Sequence, residues 1–396
     1  MNGYFASCEQ HLQPELRGRP VAVTPVLVRS GCCIAANHAA KKCGVRVGCS
    51  VEEARRICPD IAIVKSRPDE YVRIHHKLVE MTEECMHVEK VWSIDEWECP
   101  LTGHWREPER ALEVARKIKA RLAEYSPVLR CSIGIAPNQW LAKVATDMRK
   151  PDGLVMLRQE DLPQALYGMK LRDICGIGKR MELRLNQSGI HSVEQLCALP
   201  MEHMRVIWGG VFGERFYLQL HGHEVPSIVT RRSQIGHSRV LPPELRNREG
   251  VRAASFRLLQ RAAVRLRAEG YLASKLLLQV RFFDEAPLDE CISIPPTRDT
   301  QAFIEALCQL WARSRRTFRH PSYCAAILCE LTPFSDCTAS LFDMDERRRD
   351  QLSAALDGIT RKLGKNSVYF GCAMGAVEEG PPRIAFSRVP DLEVEG

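Results

Sequence analysis

The chain has 396 residues, 45% of them apolar and 27% charged, which is ordinary for a globular protein and too long for one core, so several domains are expected. Its net charge of +7 points to a polyanionic partner; its 17 cysteines lie scattered through apolar runs without a Cys-x-x-Cys, which argues against a disulfide scaffold and against structural zinc. With no signal peptide and no apolar run of about 18 residues, the expectation is a cytoplasmic protein with no membrane partner.

The first residues, Met1 to Glu9, begin abruptly with Tyr4 and Phe5 and with no strand before them. Val21–Thr24 predicts a strand, Cys32–Ala36 a second short apolar run, and Ser50–Cys58 a helix stopped by Pro59. His38 and Lys41 lie three apart and share a helix face, for which a solvated basic surface is the plain reading. Pro68–Cys85 reads as a helix with Tyr71, Ile74, Leu78 and Met81 at spacings of three and four. Next comes Val91–Trp97, an apolar run interrupted by adjacent carboxylates, Asp95 and Glu96. On a strand they would leave by opposite faces; at a strand turn both reach one site. Paired acids are costly unless a cation holds them, and hard ions such as Mg²⁺ are the usual holders. A surface Asp-Glu at a strand end is the alternative for the dipeptide taken alone.

A helix over 107–124 follows, with Leu112, Ala115, Ile118 and Leu122 on its core face, then a strand over Arg130–Ile135, a helix from Pro137-Asn138 to Met148, and a strand over Gly153–Leu157. Given one strand before Met1, this order suits a ferredoxin-like sheet with helices on one face and the carboxylate strand at its centre. From Leu166 the pattern changes to short helices punctuated by glycine. Leu171 to Cys175, Gly176-Ile177-Gly178 and the run from Lys179 read as helix, hairpin, helix, where two glycines let backbone N–H groups approach a phosphate beside Lys179. Residues 229–335 hold 17 Arg and Lys against 10 acids. The helix over 248–269 carries Arg252, Arg257, Arg261, Arg265 and Arg267; a strand over Lys275–Phe283, a helix over Thr300–Arg316 and a strand over Ala325–Leu331 follow. A DNA-tracking surface is expected on that first helix, with a plain solvated face as the alternative. Beyond Ser335 lie a Leu341-Phe342 segment, a helix over Asp345–Leu363 and a tail with Gly380-Pro381-Pro382.

Five of these pieces, in order, resemble the Y-family of translesion (DinB/UmuC-like) DNA polymerases: Tyr4-Phe5-Ala6-Ser7-Cys8-Glu9, Lys41 to Val45, Ser93-Ile94-Asp95-Glu96, Ser132 to Asn138, and Ala142 to Ala145 through Asp147 to Gly153. Singly they are weak; together they are specific, and the resemblance covers nearly the whole chain. It implies an α+β multidomain protein: a ferredoxin-like palm with fingers over 1–165 (fingers about 13–66), a helix-hairpin-helix thumb over 166–228, a basic α+β little finger over 229–335, and a C-terminal helix and tail over 336–396. It also implies template-directed nucleotidyl transfer on primer–template DNA with a dNTP and two Mg²⁺ ions. Asp95 would bridge both ions, Glu96 would hold the ion at the primer hydroxyl, and the Met1 backbone carbonyl would face the nucleotide-side ion. Phe5 falls at the steric gate against ribose, with Tyr4 supporting the sugar. His38 and Lys41 stand where the family usually has Tyr and Arg on the β and γ phosphates, Lys150 matches the palm lysine on the triphosphate, and Cys32 and Ile34 would roof the nascent base pair. Gly176, Gly178, Lys179, Arg257 and Arg261 are the expected DNA contacts. Thr338-Ala339-Ser340-Leu341-Phe342 resembles a sliding-clamp pentapeptide without its Gln; a linker whose Phe342 packs on the last helix is the alternative.

One departure stands out. The family's first metal carboxylate immediately precedes the residue matching Met1, so the chain as given lacks it and the first palm strand, and Asn2 cannot replace its charge. A start assigned too late or a shortened chain would account for this, as would a member that no longer catalyses; the presence together of Asp95, Glu96, Phe5 and Lys150 favours the former. The second functional reading is a non-catalytic DNA-binding accessory protein on the same fold.

Overall fold

The structure, a computed structural model, describes all residues except 30, 227, 229–230, 315–316, 338–343, 365–366, 377–388 and 390–396, and the side chains of 344–347. The clamp-like segment Thr338–Phe342 therefore lies outside the described residues. The chain divides into two compact units, Met1–Ile228 and Val229–Arg383.

Gly3 turns the chain into α1 (Tyr4–Leu12) at φ +55°, a conformation that favours glycine, and a Cβ there would meet the Ala36 carbonyl oxygen at 3.0 Å. Beyond α1, β1 (Val21–Thr24) pairs antiparallel with β2 (Ala35–Ala36) and parallel with β3 (Ala62–Lys65), giving the order β2-β1-β3. Two short helices belong to this fingers module. α2 (His38–Lys42) is capped by Asn37, whose Oδ1 accepts the Ala40 N–H at 2.9 Å, and α3 (Val51–Ile57) by Ser50, whose Oγ accepts the Glu53 N–H at 3.0 Å. Cys33, Cys49 and Cys58 pack with Ala22, Val45 and Ile61 in its core, behaving as the small hydrophobes the sequence suggests.

The palm elements are α4 (Pro68–Glu83), β4 (Lys90–Ser93), β5 (Glu96–Glu98), α5 (Pro108–Tyr125), β6 (Ile133–Ile135), α6 (Gln139–Met148) and β7 (Leu154–Met156). β4 and β5 form an antiparallel hairpin and β6 and β7 a parallel pair, each hydrogen-bonded as a separate two-stranded sheet. The expectation of a central carboxylate strand presumed one strand before Met1; in the described residues the partner of β4 is β5. Ser93 pairs with Glu96, which leaves Ile94 and Asp95 as the turn itself; Ile94 points inward at 1% exposure, while Val91 and Trp92 on β4 stay exposed.

In the thumb, α7 (Lys179–Gln187), α8 (Val193–Cys197), α9 (Met201–Trp208) and α10 (Val211–Leu220) share one core with α6: Trp140 and Leu141 pack among Leu171, Ile174, Leu185, Leu196, Met204 and Phe216. Asn138, the cap of α6, also donates to the Gln219 and His223 carbonyls at 2.9 and 3.0 Å. The first helix expected in the helix-hairpin-helix is only a 3₁₀ turn, Leu171–Asp173.

The second unit comprises β8 (Gln234–Val240), α11 (Arg248–Ala268), β9 (Tyr271–Phe282), β10 (Leu288–Thr297), α12 (Thr300–Arg313), β11 (Pro321–Pro333) and α13 (Met344–Leu363). Its antiparallel sheet has the order β10-β9-β11-β8, and Phe256, Leu259, Phe303 and Leu307 of the helices pack on Leu276, Leu278, Val280 and Leu328. Pro295 and Pro296 are accommodated because β10 is an edge strand. The C-terminal segment covers the helices. Asp357 of α13 takes Arg267 in a fork at 2.7 and 2.8 Å, Asp350 takes Arg298 at 2.8 and 2.5 Å, and Ser353 between them donates to Asp299 at 3.3 Å. Ala373 and Ala376 join the core beside α11.

That cover overturns the expected DNA contact at Arg257. The residue is 4% exposed, with its guanidinium 5.6 Å over the Tyr369 ring, and Arg261 is half-buried on the same helix. An arginine-rich helix looks solvated in sequence, but here the chain's own C-terminal segment lies against it. Among the described residues no helix is long and apolar enough to cross a membrane.

Candidate active site

The carboxylate turn is fastened from below by α4. His75 is buried on that helix, and its Nδ1 lies 2.8 Å from the Ile94 carbonyl. Since a carbonyl only accepts, this nitrogen carries the proton. Burial depresses the His75 pKa below its ordinary value, and the bond to Ile94 opposes that shift.

Within the turn, Ser93 Oγ donates to Asp95 Oδ1 at 2.8 Å. The Met1 nitrogen donates to the Asp95 carbonyl at 2.5 Å, while the Asn2 N–H donates to the Arg130 carbonyl at 3.0 Å. These bonds set Met1 between the hairpin and the segment leading to β6. Burial depresses the pKa of the Met1 amine, and the charges of Asp95 and Glu96 oppose that shift. Lys150 is exposed and ion-paired with Asp147. Glu96 is ion-paired with Lys143 of α6.

Lys143 and His75 are site residues that sequence reasoning did not single out. Burial disfavours the Lys143 ammonium, but the hydrogen bond and charge of Glu96 outweigh it and its pKa is raised. The signals were present: Lys143 lies inside the Ala142–Ala145 motif, and His75 follows Tyr71 by four residues on the buried face of α4.

Tyr4 and Phe5 are buried at the start of α1. The Tyr4 hydroxyl donates to the Tyr71 carbonyl at 2.7 Å, and the Phe5 ring stacks on the Tyr71 ring at 4.7 Å with 16° between planes. Burial raises the Tyr4 and Tyr71 pKa values, which keeps both phenols neutral. The other expected contacts are distributed over the remaining modules. His38 and Lys41 are exposed one turn apart on α2; Cys32 is exposed and Ile34 half-buried beside β1 and β2. Gly176, Gly178 and Lys179 are exposed at the start of α7, with open space where a Cβ at Gly178 would stand.

Asp95, Glu96 and the Met1 carbonyl are hard oxygen donors of the kind a divalent cation takes. They fit an ion that completes its shell from phosphate and water; among the described residues no group of three or more His, Cys, Asp and Glu could hold a metal unaided.

Comparison with known proteins agrees with this geometry. Residues 1–147 match the impB/mucB/samB family, and residues 232–329 match the C-terminal domain of the same family. The chain is 30% identical over 375 residues to DNA polymerase IV of Pelotomaculum thermopropionicum, spanning 93% of this chain and 92% of that protein. With DNA polymerase IV 1 of Bacillus subtilis it shares 32% identity over 289 residues, 72% of this chain and 69% of the relative. Its fold is similar to that of a Y-family DNA polymerase chimera of Dbh and Dpo4, with a TM-score of 0.68 and 24% identity over 84% of this chain and 97% of the other. It is also similar to an insertion ternary complex of Dbh DNA polymerase, at a TM-score of 0.56 and 24% identity over 83% of this chain and 96% of that one. With palm and fingers matched by the first family model, the last α+β unit by the second, and a relative aligned over nearly its whole length, the chain belongs to the Y-family of DinB-like DNA polymerases.

Proposed function

We propose that the carboxylate turn, the stacked gate ring and the cations around them carry out templated addition of deoxynucleotides to a primer. The protein is a DNA-directed DNA polymerase of the translesion type, as its family is. In the reaction a primer 3′-hydroxyl attacks the α-phosphate of a dNTP and pyrophosphate leaves. The observation that carries the reading is the β4–β5 turn that presents Asp95 beside Glu96 and is bonded through the Asp95 carbonyl to Met1, on the chain segment that leads directly into Tyr4 and Phe5.

Members of the family use divalent metal ions. Two Mg²⁺ ions are the assignment here, held by Asp95, Glu96 and the Met1 carbonyl and supplying neutralisation of phosphate charge when bound. Phe5 faces the sugar, Tyr4 supports it, and Lys150, His38 and Lys41 take the phosphates; Lys41 brings charge without the fork of an arginine. Cys32 and Ile34, small for a roof, leave room above the base pair. The relatives bear the name DNA polymerase IV and one structural neighbour is a ternary insertion complex, which supports primer–template DNA and a dNTP as the partners. Gly176, Gly178 and Lys179 take a DNA phosphate at the start of α7. In the second unit the DNA-facing role falls to the sheet surface opposite the helices, with Lys275, Gln279 and Arg281 alternating along β9. A cytoplasmic location belongs to the same proposal.

The test is single-turnover primer extension by the full-length protein with Mg²⁺. Asp95→Ala is expected to cut incorporation by at least about 10²-fold, the loss typical of one preorganised electrostatic group, with DNA affinity retained. Equal incorporation by the two proteins would remove Asp95 from the chemistry.

A further inference from the structure

The bonds around Glu9 lie outside the carboxylate turn and yet converge on the gate ring. Glu9 follows Phe5 by one turn of α1 and is fully buried, at 0% exposure. A buried carboxylate needs partners, and four side-chain bonds reach this one. Arg67 donates from Nη2 to Oε2 at 2.5 Å and from Nε to Oε1 at 3.2 Å; Tyr71 donates from its hydroxyl to Oε1 at 2.6 Å; Gln13 donates from Nε2 to Oε2 at 3.0 Å.

The positions of these donors are informative. Gln13 is the residue at which α1 ends and the chain leaves for β1, and Arg67 is the residue at which it returns from β3 and enters α4. Both crossings between palm and fingers are thus fixed to one carboxylate. Tyr71, the remaining donor, is the ring on which Phe5 stacks. A ring face backed by a stacked neighbour cannot retreat, since opening a gap of even half an ångström forfeits much of the contact energy.

We infer that Glu9 is a positioning residue for sugar selection: it anchors Tyr71, Tyr71 backs Phe5, and Gln13 and Arg67 tie the fingers module to the same anchor. Discrimination against ribonucleotides then depends on a group that touches neither substrate nor metal. The inference rests on the polymerase reading, in which Phe5 meets the sugar. Glu9→Gln preserves shape, but its amide has one oxygen where the carboxylate has two, so an NH2 group must face donors on one side, and the charge that holds Arg67 is gone. Tyr71→Phe removes only the hydroxyl tie, leaving the stacked ring.

The experiment compares kcat/KM for a dNTP and the matching rNTP on one primer–template, using the full-length wild type, Glu9→Gln and Tyr71→Phe. Both variants are expected to lower the dNTP:rNTP ratio by about tenfold, the scale on which a pocket wall discriminates one small group. A merely structural role lowers both nucleotides together; a wild-type ratio in both variants overturns the inference. Failure of the wild type to use either nucleotide sinks the polymerase reading instead. A second measurement then decides the inference without nucleotide: the ring-to-ring nuclear Overhauser effect between selectively labelled Phe5 and Tyr71 in the protein alone. Its loss in folded Glu9→Gln supports the anchor, and its persistence at wild-type intensity refutes it.

Discussion

Lys143 of α6 is ion-paired with Glu96 at the base of the carboxylate turn. A divalent cation binding to Glu96 must compete with that ammonium. Partly exposed pairs of this kind are worth roughly 0.2–1 kcal/mol. Replacing Lys143 by Met is therefore expected to tighten Mn²⁺ binding to the nucleotide-free protein by up to about fivefold. Titration of the Mn²⁺ paramagnetic resonance signal reads this directly, and an unchanged affinity would separate Lys143 from the ion site.

His75 gives the turn a pH dependence. Its folded pKa is depressed, first by burial, so the unfolded chain accepts a proton near pH 6.5 that the folded protein resists. Stability from this source is intact above about pH 6.5 and declines as pH falls from there to the depressed folded value, below which the slope ends. In calorimetry, wild type should lose more melting temperature than His75→Gln between pH 7.5 and 5.5. Parallel curves for the two proteins would contradict the assignment.

Lys179 stands exposed at the open start of α7. Its replacement by Ala should weaken DNA binding equally for unrelated sequences and reduce the slope of log affinity against log salt by about one, as for loss of a single phosphate contact. Fluorescence anisotropy across a salt series measures both. Arg257→Ala, by contrast, removes a buried group and should leave that slope unchanged while lowering stability.

The Arg267–Asp357 pair is nearly buried, with 10% and 15% of the side chains exposed, and Arg267 also donates to the Arg298 carbonyl at 2.8 Å and to Thr300 Oγ1 at 2.9 Å. Truncation to Ala strands Asp357, which for buried pairs costs about 3 kcal/mol. Amide hydrogen exchange along α13 should accelerate accordingly, and much less so in Asp350→Asn, whose pair is more exposed. Equal protection in wild type and Arg267→Ala would mean that the fork does not hold the helix.

Much of this was legible in the chain itself, for physical reasons that differ from element to element. The helices over Pro68–Glu83, Pro108–Tyr125 and Arg248–Ala268 follow from apolar spacing, proline at the first turn and polar caps, all local signals. β10 was not among the expected strands; its Pro295 and Pro296 suit a strand only at a sheet edge, and that position is set by the fold. Arg257 was misread because covering by residues more than a hundred positions away leaves no mark on a helix's own pattern. The carboxylates were identified by their adjacency, but the partners that orient them, Lys143 and His75, come from other helices and needed the fold. Glu9 shows the same limit: its bonds to Arg67 and Tyr71 span 58 and 62 residues, so nothing near it in sequence announces them.

The clasp on Glu9 also bears on how such enzymes can be recombined. Gln13 and Arg67 stand at the two ends of the fingers segment, and both are bound to Glu9 of α1. Junctions cut at 14 and 66 leave the whole clasp, with Tyr71 and Phe5, in the recipient. On the proposed assignments, a graft of the intervening segment from a relative should bring that relative's residues at positions 32, 34, 38 and 41 and leave Phe5 and its backing ring with the host.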